Sequence, residues 1–509
     1  MPGDNMIGDL VSQSRRWGID LSYSVPSAKS PIAAEVYETM MRDELARRPQ
    51  RRVADCIVRD HPVKQIADMI DHEDVHVDDT VTKGLRLLHF AAFRHNVEAL
   101  LLLLDYGADP NLMDDVGYTA LHLCAEKGYS DFVRILLSYG ARIRFTEINP
   151  GDKSFGDPPR ATAADEPLRL AIRNSEHDTA LLLLKHGANP SATYYLGQEI
   201  NMVDPTDTKS LELLLKFGAD PNARDRQSMT PVMKACRNPE AIDATYLLIS
   251  YGADVNAMTN EDKKTPLHYA VLSGNMTLVE ILVSNGARVH FPKDYSKPPP
   301  HYFAVLRGHV EILNYLLDNG ADVNFESAVV GSALHIALTE RIPNKIEIVR
   351  TLLKRGANPN AITLSDKGPL LKPPIGEYFQ ACEQPQPEIV RMLLKYGARV
   401  VLQGQREHHL GIVKVIHRLH LGLNPEVMAL VIEAAEKFNV SFIEQSPQLS
   451  DEHKELLLAK ALKPFSLVNI AIYKIRECIM RQGDEYVSAI RSFPVPLSLR
   501  MLLLFQEQG

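Results

Sequence analysis

Apolar residues in this chain recur three and four positions apart in short bursts, and the bursts come in pairs. The pattern is cleanest over residues 264–288, KTPLHYAVLSGNMTLVEILVSNGAR. Leu267, Ala270 and Val271 fall on one face of a first predicted helix, and Leu278, Ile281 and Leu282 on one face of a second. Thr265 is a residue type that caps helices, and Pro266 suits the first turn, where a missing N–H costs nothing. Ser273-Gly274-Asn275 separates the pair, and Gly286 stands where a left-handed cap is required. Each helix is shorter than an isolated helix needs in water. The pattern therefore demands neighbours of the same kind on either side.

The chain supplies them. The Gly-Ala pair closing this unit recurs at Gly107, Gly140, Gly187, Gly218, Gly252, Gly286, Gly320, Gly356 and Gly397, in steps of 33, 47, 31, 34, 34, 34, 36 and 41 residues. An apolar run precedes each one, and helix-opening signals sit upstream at Thr119–His122, Thr230–Val232, Thr265–His268 and Ser332–His335. Asp or Asn follows most of the pairs (Asp109, Asn189, Asp220, Asp254, Asp322, Asn358), which suits a tight turn held by side-chain bonds to the backbone.

A period near 33 with T-P-L-H and a closing G-A-D-x-N resembles the ankyrin repeat, over roughly residues 81–404. The resemblance implies an all-α fold, a curved solenoid of about nine to eleven helix pairs, stabilised between neighbours and presenting turns along one edge. The repeat between Gly187 and Gly218 is expected to be distorted, because Val203–Ser210 offers little for a first helix. The domain plan has five parts. Residues 1–47 form a partly flexible segment, 48–80 a degenerate capping repeat, and 81–404 the repeats. Residues 405–463 form a helical cap and linker, with helical spacing over His409–Leu421 and Pro425–Phe438, and 464–509 form a separate C-terminal module. Two insertions, Ile148–Ala164 and Lys293–Pro300, are read as exposed loops between repeats.

Composition narrows the functional classes. A net charge of −8 argues against a general nucleic-acid binder, which needs a basic surface. Five dispersed cysteines (Cys56, Cys124, Cys236, Cys382, Cys478) without a C-x-x-C pair read as free thiols of a reducing compartment. No apolar run approaches a membrane span, and the first residues lack the apolar core of a secretory leader. A cytoplasmic protein is expected, with no membrane insertion. Arg47-Arg48 and Arg51-Arg52 are either a nuclear address or a solvated patch.

No catalytic motif stands out. His122, His268 and His335 occupy the fourth place of the T-P-L-H tetrapeptide, where the ankyrin resemblance implies that the ring ties adjoining repeats together. The pair His417/His420 lacks a third metal ligand, so no metal or cofactor is expected. The resemblance also marks Asn256 and Asn324 as positions that asparaginyl hydroxylases can modify, with turn-making as the simpler role. Turn residues Asp114, Asp115, Arg224, Arg226, Glu261 and Lys263 are expected to be exposed enough to choose a protein target.

The tail departs from the repeat. Residues 464–505 read PFSLVNIAIYKIRECIMRQGDEYVSAIRSFPVPLSLRMLLLF, with an apolar helical face followed by a proline pair that forbids helix. This order resembles a SOCS box, the module joined to ankyrin stacks in the ankyrin-repeat and SOCS-box family. The resemblance implies an elongin-binding helix at Ser466, Leu467, Ile470, Ala471 and Ile475, with Ala471 in place of the family's cysteine. It also implies a cullin-5-selecting segment at Phe493, Pro494, Val495, Pro496 and Leu499, with Phe493 in place of leucine. The function implied is a non-catalytic substrate adaptor of an elongin B–C/cullin-5 RING ubiquitin ligase. The alternative is an ankyrin scaffold or inhibitor with no ligase link.

Overall fold

A computed structural model describes residues 49–145 and 166–463 apart from 195–196, 293–294, 296, 328–329, 363, 366–367, 370, 405–407, 420–423 and 448, together with 471, 474, 475, 490, 492 and 494 of the tail. The chain forms two compact units, Met1–Asp254 with Thr259–Asp262, and Val255–Met258 with Lys263–Gly509.

The first unit contains helix pairs α1 (Pro49–Val58) and α2 (Val63–His72), α3 (Leu87–Arg94) and α4 (Val97–Asp105), α5 (Ala120–Lys127) and α6 (Ser130–Ser138), and α7 (Pro167–Arg173) and α8 (His177–Lys185). A short hairpin of β1 (Thr193–Tyr194) and β2 (Gly197–Gln198) follows, then α9 (Thr208–Lys216) and the pair α10 (Pro231–Arg237) and α11 (Ile242–Ser250). The expected distortion lies at α9. In place of a first helix stands one 3-10 turn, Glu199–Asn201, because Asp204-Pro205 and the loop to Asp207 leave no room for three helical turns.

The second unit repeats the motif. It contains α12 (Pro266–Ser273) and α13 (Met276–Ser284), α14 (Pro300–Arg307) and α15 (Val310–Asp318), and α16 (Ala333–Thr339) and α17 (Lys345–Lys354). After hairpin β3 (Leu364–Ser365) and β4 (Gly368–Pro369) come α18 (Pro374–Ala381) and α19 (Pro387–Lys395). In the 264–288 stretch, Leu267, Ala270, Val271, Leu278 and Leu282 are fully buried, whereas Ile281 lies at the rim and is half-buried. Gly286 has φ +85°, and a Cβ there would touch nothing, so the left-handed turn alone calls for glycine. At Gly308, φ +70°, a Cβ would also lie 2.6 Å from the Pro343 carbonyl, so both space and conformation exclude a side chain.

Beyond α19 the repeat gives way. The elements are β5 (Val400–Leu402), α20 (Val413–Ile416), α21 (Pro425–Ala434), β6 (Ala435–Phe438), α22 (Val440–Gln445) and α23 (Asp451–Ala461). The helix expected over Pro425–Phe438 stops at Ala434. Its last residues form β6, parallel to β5 with Val401 opposite Lys437 and Leu402 opposite Phe438. The reason is local: Val400, Val401 and Leu402 are fully buried, and their backbone groups need partners that a loop or a helix would not supply. Arg399 Nε lies 2.8 Å from Glu436 Oε2 beside this ladder.

Candidate functional site

The turns that close the repeats are joined by asparagine side chains. In the first unit Asn111 Nδ2 donates to Gly140 O (3.2 Å) while its Oδ1 accepts from Arg142 N (2.7 Å), and Asn222 does the same with Gly252 O (3.1 Å) and Asp254 N (2.7 Å). In the second unit Asn256 binds Gly286 O (2.9 Å) and Arg288 N (2.7 Å), and Asn324 binds Gly356 O (2.9 Å) and Asn358 N (2.7 Å). Asn360 extends the series to Gly397 O (2.9 Å) and Arg399 N (2.8 Å). One carboxamide thus satisfies a donor and an acceptor of the following turn, which the isosteric aspartate carboxylate, an acceptor only, cannot do. Replacing Asn324 by alanine removes both bonds, and a loss of roughly 1–3 kcal/mol is expected. Urea unfolding of the variant checks it; an unchanged midpoint would show that the bonds contribute nothing net.

A second set of ties runs from the starts of the first helices. His89 Nδ1 accepts from Arg86 N (3.2 Å) and Nε2 reaches Tyr118 O (3.1 Å). In the second unit, Thr265 N donates to His268 Nδ1 (2.9 Å), whose Nε2 reaches Pro298 O (3.2 Å), and His335 Nε2 reaches Lys372 O (3.0 Å). With Nδ1 accepting from an N–H, the neutral ring carries its proton on Nε2 and donates it to the next turn. Burial pushes His89 down to about 4 and His268 down to about 3, and lowers His335 as well. His89, His268 and His335 are therefore braces held neutral. The same slot is filled by Asn201, whose Nδ2 donates to Ala223 O (3.0 Å), and by Tyr302, whose hydroxyl reaches Phe325 O and Gly331 O. Their repeat phase was the available signal, but neither residue matches the tetrapeptide. His453 of α23 closes a similar bond to Leu419 O (2.8 Å), with Ser450 capping the helix.

Of the turn residues singled out above, Asp115, Arg224, Arg226, Glu261 and Lys263 are exposed. Asp114 is not. It is 8% exposed, and its Oδ1 accepts the amides of Val116 (3.0 Å), Gly117 (2.9 Å) and Tyr118 (2.8 Å). A carboxylate so engaged shapes the turn and is withdrawn from a partner, which corrects the expectation for this residue. Asp225 plays the matching part between Arg224 and Arg226, accepting from Gln227 N (2.9 Å) and Met229 N (2.8 Å) and pairing with Lys234 Nζ (2.8 Å).

In the tail, Ala471 is helical and exposed, Ile475 is helical and half-buried, and Pro494 is exposed. Ile490 is fully buried. Ser466, Leu467, Ile470, Phe493, Val495, Pro496 and Leu499 lie outside the described residues. Cys124 and Cys236 are buried free thiols, and burial pushes Cys236 up to about 12. Among the described residues no group of three or more His, Cys, Asp and Glu side chains is placed to hold a metal, and no helix is long and apolar enough to cross a membrane. His417 Nδ1 is held by Lys414 O (2.8 Å), and His420 lies outside the described residues.

A family model described as ankyrin repeats matches three times, at residues 58–147, 203–293 and 289–363. Protein phosphatase 1 regulatory subunit 27 of Mus musculus is 36% identical over 104 residues, which are 20% of this chain and 68% of that protein. Ankyrin repeat and SOCS box protein 16 of Homo sapiens is 26% identical over 246 residues, 46% of this chain and 47% of that protein. The crystal structure of the human ASB11 ankyrin repeat domain aligns with a TM-score of 0.38 and 18% identity, covering 46% of this chain and 98% of that one.

Proposed function

This chain belongs to the ankyrin-repeat family, and on that footing we propose that it is the substrate-recognition adaptor of an elongin B–C/cullin-5 RING ubiquitin ligase. Ankyrin repeats serve protein–protein interaction, so the coarser part of this reading is a protein that binds other proteins. In the finer part, the exposed turn residues Asp115, Arg224, Arg226, Glu261 and Lys263 contact a target protein. The tail helix, through Ser466, Leu467, Ile470, Ala471 and Ile475, enters a groove on elongin C as an amphipathic helix. Phe493, Pro494, Val495, Pro496 and Leu499 help to recruit cullin-5 and its RING partner. The ligase chemistry then belongs to the partner subunits, and this chain raises the local concentration of target lysines.

The observation that carries the reading is the order of parts: an ankyrin stack followed by Ser466-Leu467 and then Phe493-Pro494-Val495-Pro496. Two further facts support it. Ala471 and Pro494, one in each half of the tail motif, remain exposed. The similarity to ankyrin repeat and SOCS box protein 16 spans nearly half of both chains.

A pull-down with purified elongin B–C tests it. Wild-type full-length chain is expected to capture elongin B–C, and Leu467→Asp is expected to abolish capture while circular dichroism stays unchanged. Failure of the folded wild type to capture elongin B–C would leave the second reading, a scaffold or inhibitor without a ligase link. The higher identity to a phosphatase regulatory subunit favours that alternative.

A further inference from the structure

The residue just before each Gly-Ala turn is the last exposed position of a second helix, and in the first unit it carries a ring every time. Tyr106, Tyr139, His186, Phe217 and Tyr251 are the C-cap residues just past α4, α6, α8, α9 and α11, and all five are exposed. Tyr106, Tyr139, Phe217 and Tyr251 expose 41%, 42%, 37% and 39% of their surface, far more than a lone core-facing ring. The corresponding positions of the second unit are Asn285, Asn319 and Arg355 before a half-buried Tyr396. The fold therefore tolerates polar side chains at this position, and although the Tyr106 and Tyr139 hydroxyls tie back to the preceding repeat, an apolar environment does not dictate the run of rings.

We infer that this row is a docking ridge for an extended proline-rich peptide carrying basic residues at one end and acidic residues at the other. Three observations support that occupant. The rings sit on successive packed second helices, whose axes lie about 8–10 Å apart in such contacts. A polyproline helix advances roughly 9 Å per turn, so each turn meets one ring. Next, the glycine that follows each tyrosine or phenylalanine is open, as at the Gly-Ala turns of the second unit that lack rings: a Cβ at Gly107, Gly140, Gly218 or Gly252, or at Gly286, Gly320 or Gly356, would meet nothing within 4 Å. A backbone can lie close beside the rings there. Last, the charge along the row is polarised. The Tyr106 hydroxyl donates to Asp71 (3.1 Å) and the Tyr139 hydroxyl to Asp105 (2.7 Å), so that end is acidic. Further along the row, next to the third and fourth rings in sequence, are exposed Lys185 and Lys216, the latter partnered by Glu212. A peptide of matching polarity is aligned by these charges, while the prolines stack on the rings at low entropic cost.

The ring positions share no residue with the turn residues and tail of the proposed adaptor, so neither outcome bears on the other. The test uses the full-length chain and fluorescein-labelled peptides of nine prolines, flanked by two arginines and two glutamates in either charge order. A serine-for-proline peptide of the same charge is the comparison. In fluorescence anisotropy one charge order of the proline peptide is expected to bind at least tenfold tighter than its serine counterpart. The double substitution Tyr139→Asn with Phe217→Asn, which installs the second unit's residue type, is expected to reduce that affinity at least tenfold with an unchanged melting curve. Phe217→Asn alone has no hydrogen bond to lose, and it decides the matter if the double variant melts early; about a threefold loss is expected from it. Equal binding of proline and serine peptides, equal binding of both charge orders, or wild-type affinity in Phe217→Asn overturns the inference.

Discussion

Lowering the pH from 6.5 towards 4 is expected to unfold this protein, and to unfold its second unit more steeply than its first. The cause is the set of buried neutral histidines. Burial depresses the folded pKa of His89 to about 4, and of His268 and His301 to about 3, from an ordinary value near 6.5. Below that ordinary value the unfolded chain takes up protons that the folded chain refuses, so stability falls as pH falls. Each such residue costs about 1.4 kcal/mol per pH unit across the window from 6.5 down to its folded value. His89 lies in the first unit, and His268 and His301 in the second. Their neighbours modulate the effect without reversing it: Lys264 faces His268, and Arg86 faces His89.

His268 and His301 together are thus expected to cost the second unit about 3 kcal/mol per pH unit, with His309 and His335, also lowered by burial, adding to it, against about 1.4 kcal/mol from His89 in the first, out of a typical domain stability of about 5–15 kcal/mol. Asp207 contributes in a different range. Burial raises its pKa, but bonds from Ser210 and His177 outweigh that and leave it below the usual value of 3.8. Its stabilisation is therefore lost as pH falls from about 3.8, at the lower end of the histidine window and below. Urea unfolding at pH 7, 6 and 5 reads the slope, and equal stability at pH 7 and pH 5 would falsify the account.

The second large effect is a gain. At the head of α14, Pro299-Pro300-His301-Tyr302 stands in register with Thr265-Pro266-Leu267-His268. Tyr302 has taken over the tying role, and His301 occupies the slot where Leu267 is buried in its own repeat. The His301 ring is 2% exposed, lies edge-on to Tyr302 with ring centroids 4.9 Å apart, and has no hydrogen-bond partner for either nitrogen among the described residues. A buried polar group without a partner costs roughly 1–3 kcal/mol. His301→Leu is expected to stabilise the second unit by that amount at pH 7. It should also remove part of that unit's acid sensitivity, because one of its strongly depressed histidines is gone. Denaturant curves at two pH values separate these effects. A variant less stable than wild type at pH 7 would mean that the ring is better accommodated than its bonding suggests.

Much of the architecture was legible before any coordinates. The Gly-Ala period placed the second helices, because a left-handed turn restricts the residue that ends them. Thr265, Pro266 and Gly286 bound their helices where local chemistry alone requires. The weak repeat at Val203–Ser210 was legible for the same reason, since proline and turn formers there cannot begin a helix. Other features were not. Residues 435–438 carry helical apolar spacing but pair as strand, because buried β5 needs a hydrogen-bonding neighbour, and no local pattern records that need. Asp114 looks like a charged turn residue, and only the approach of three amides takes it out of solvent.

On its own, then, the sequence determined the repeat: its period, its caps, the helix pairs and the ankyrin family, because each depends on residues within one turn of helix or loop. The tertiary structure decided which polar groups are braces and which face solvent. His268, Asn256 and Tyr302 acquire their roles from carbonyls roughly one repeat away, and the exposed ring row exists only because successive helices pack side by side. Burial and long-range pairing depend on what comes near in space, and one-dimensional spacing does not carry that information.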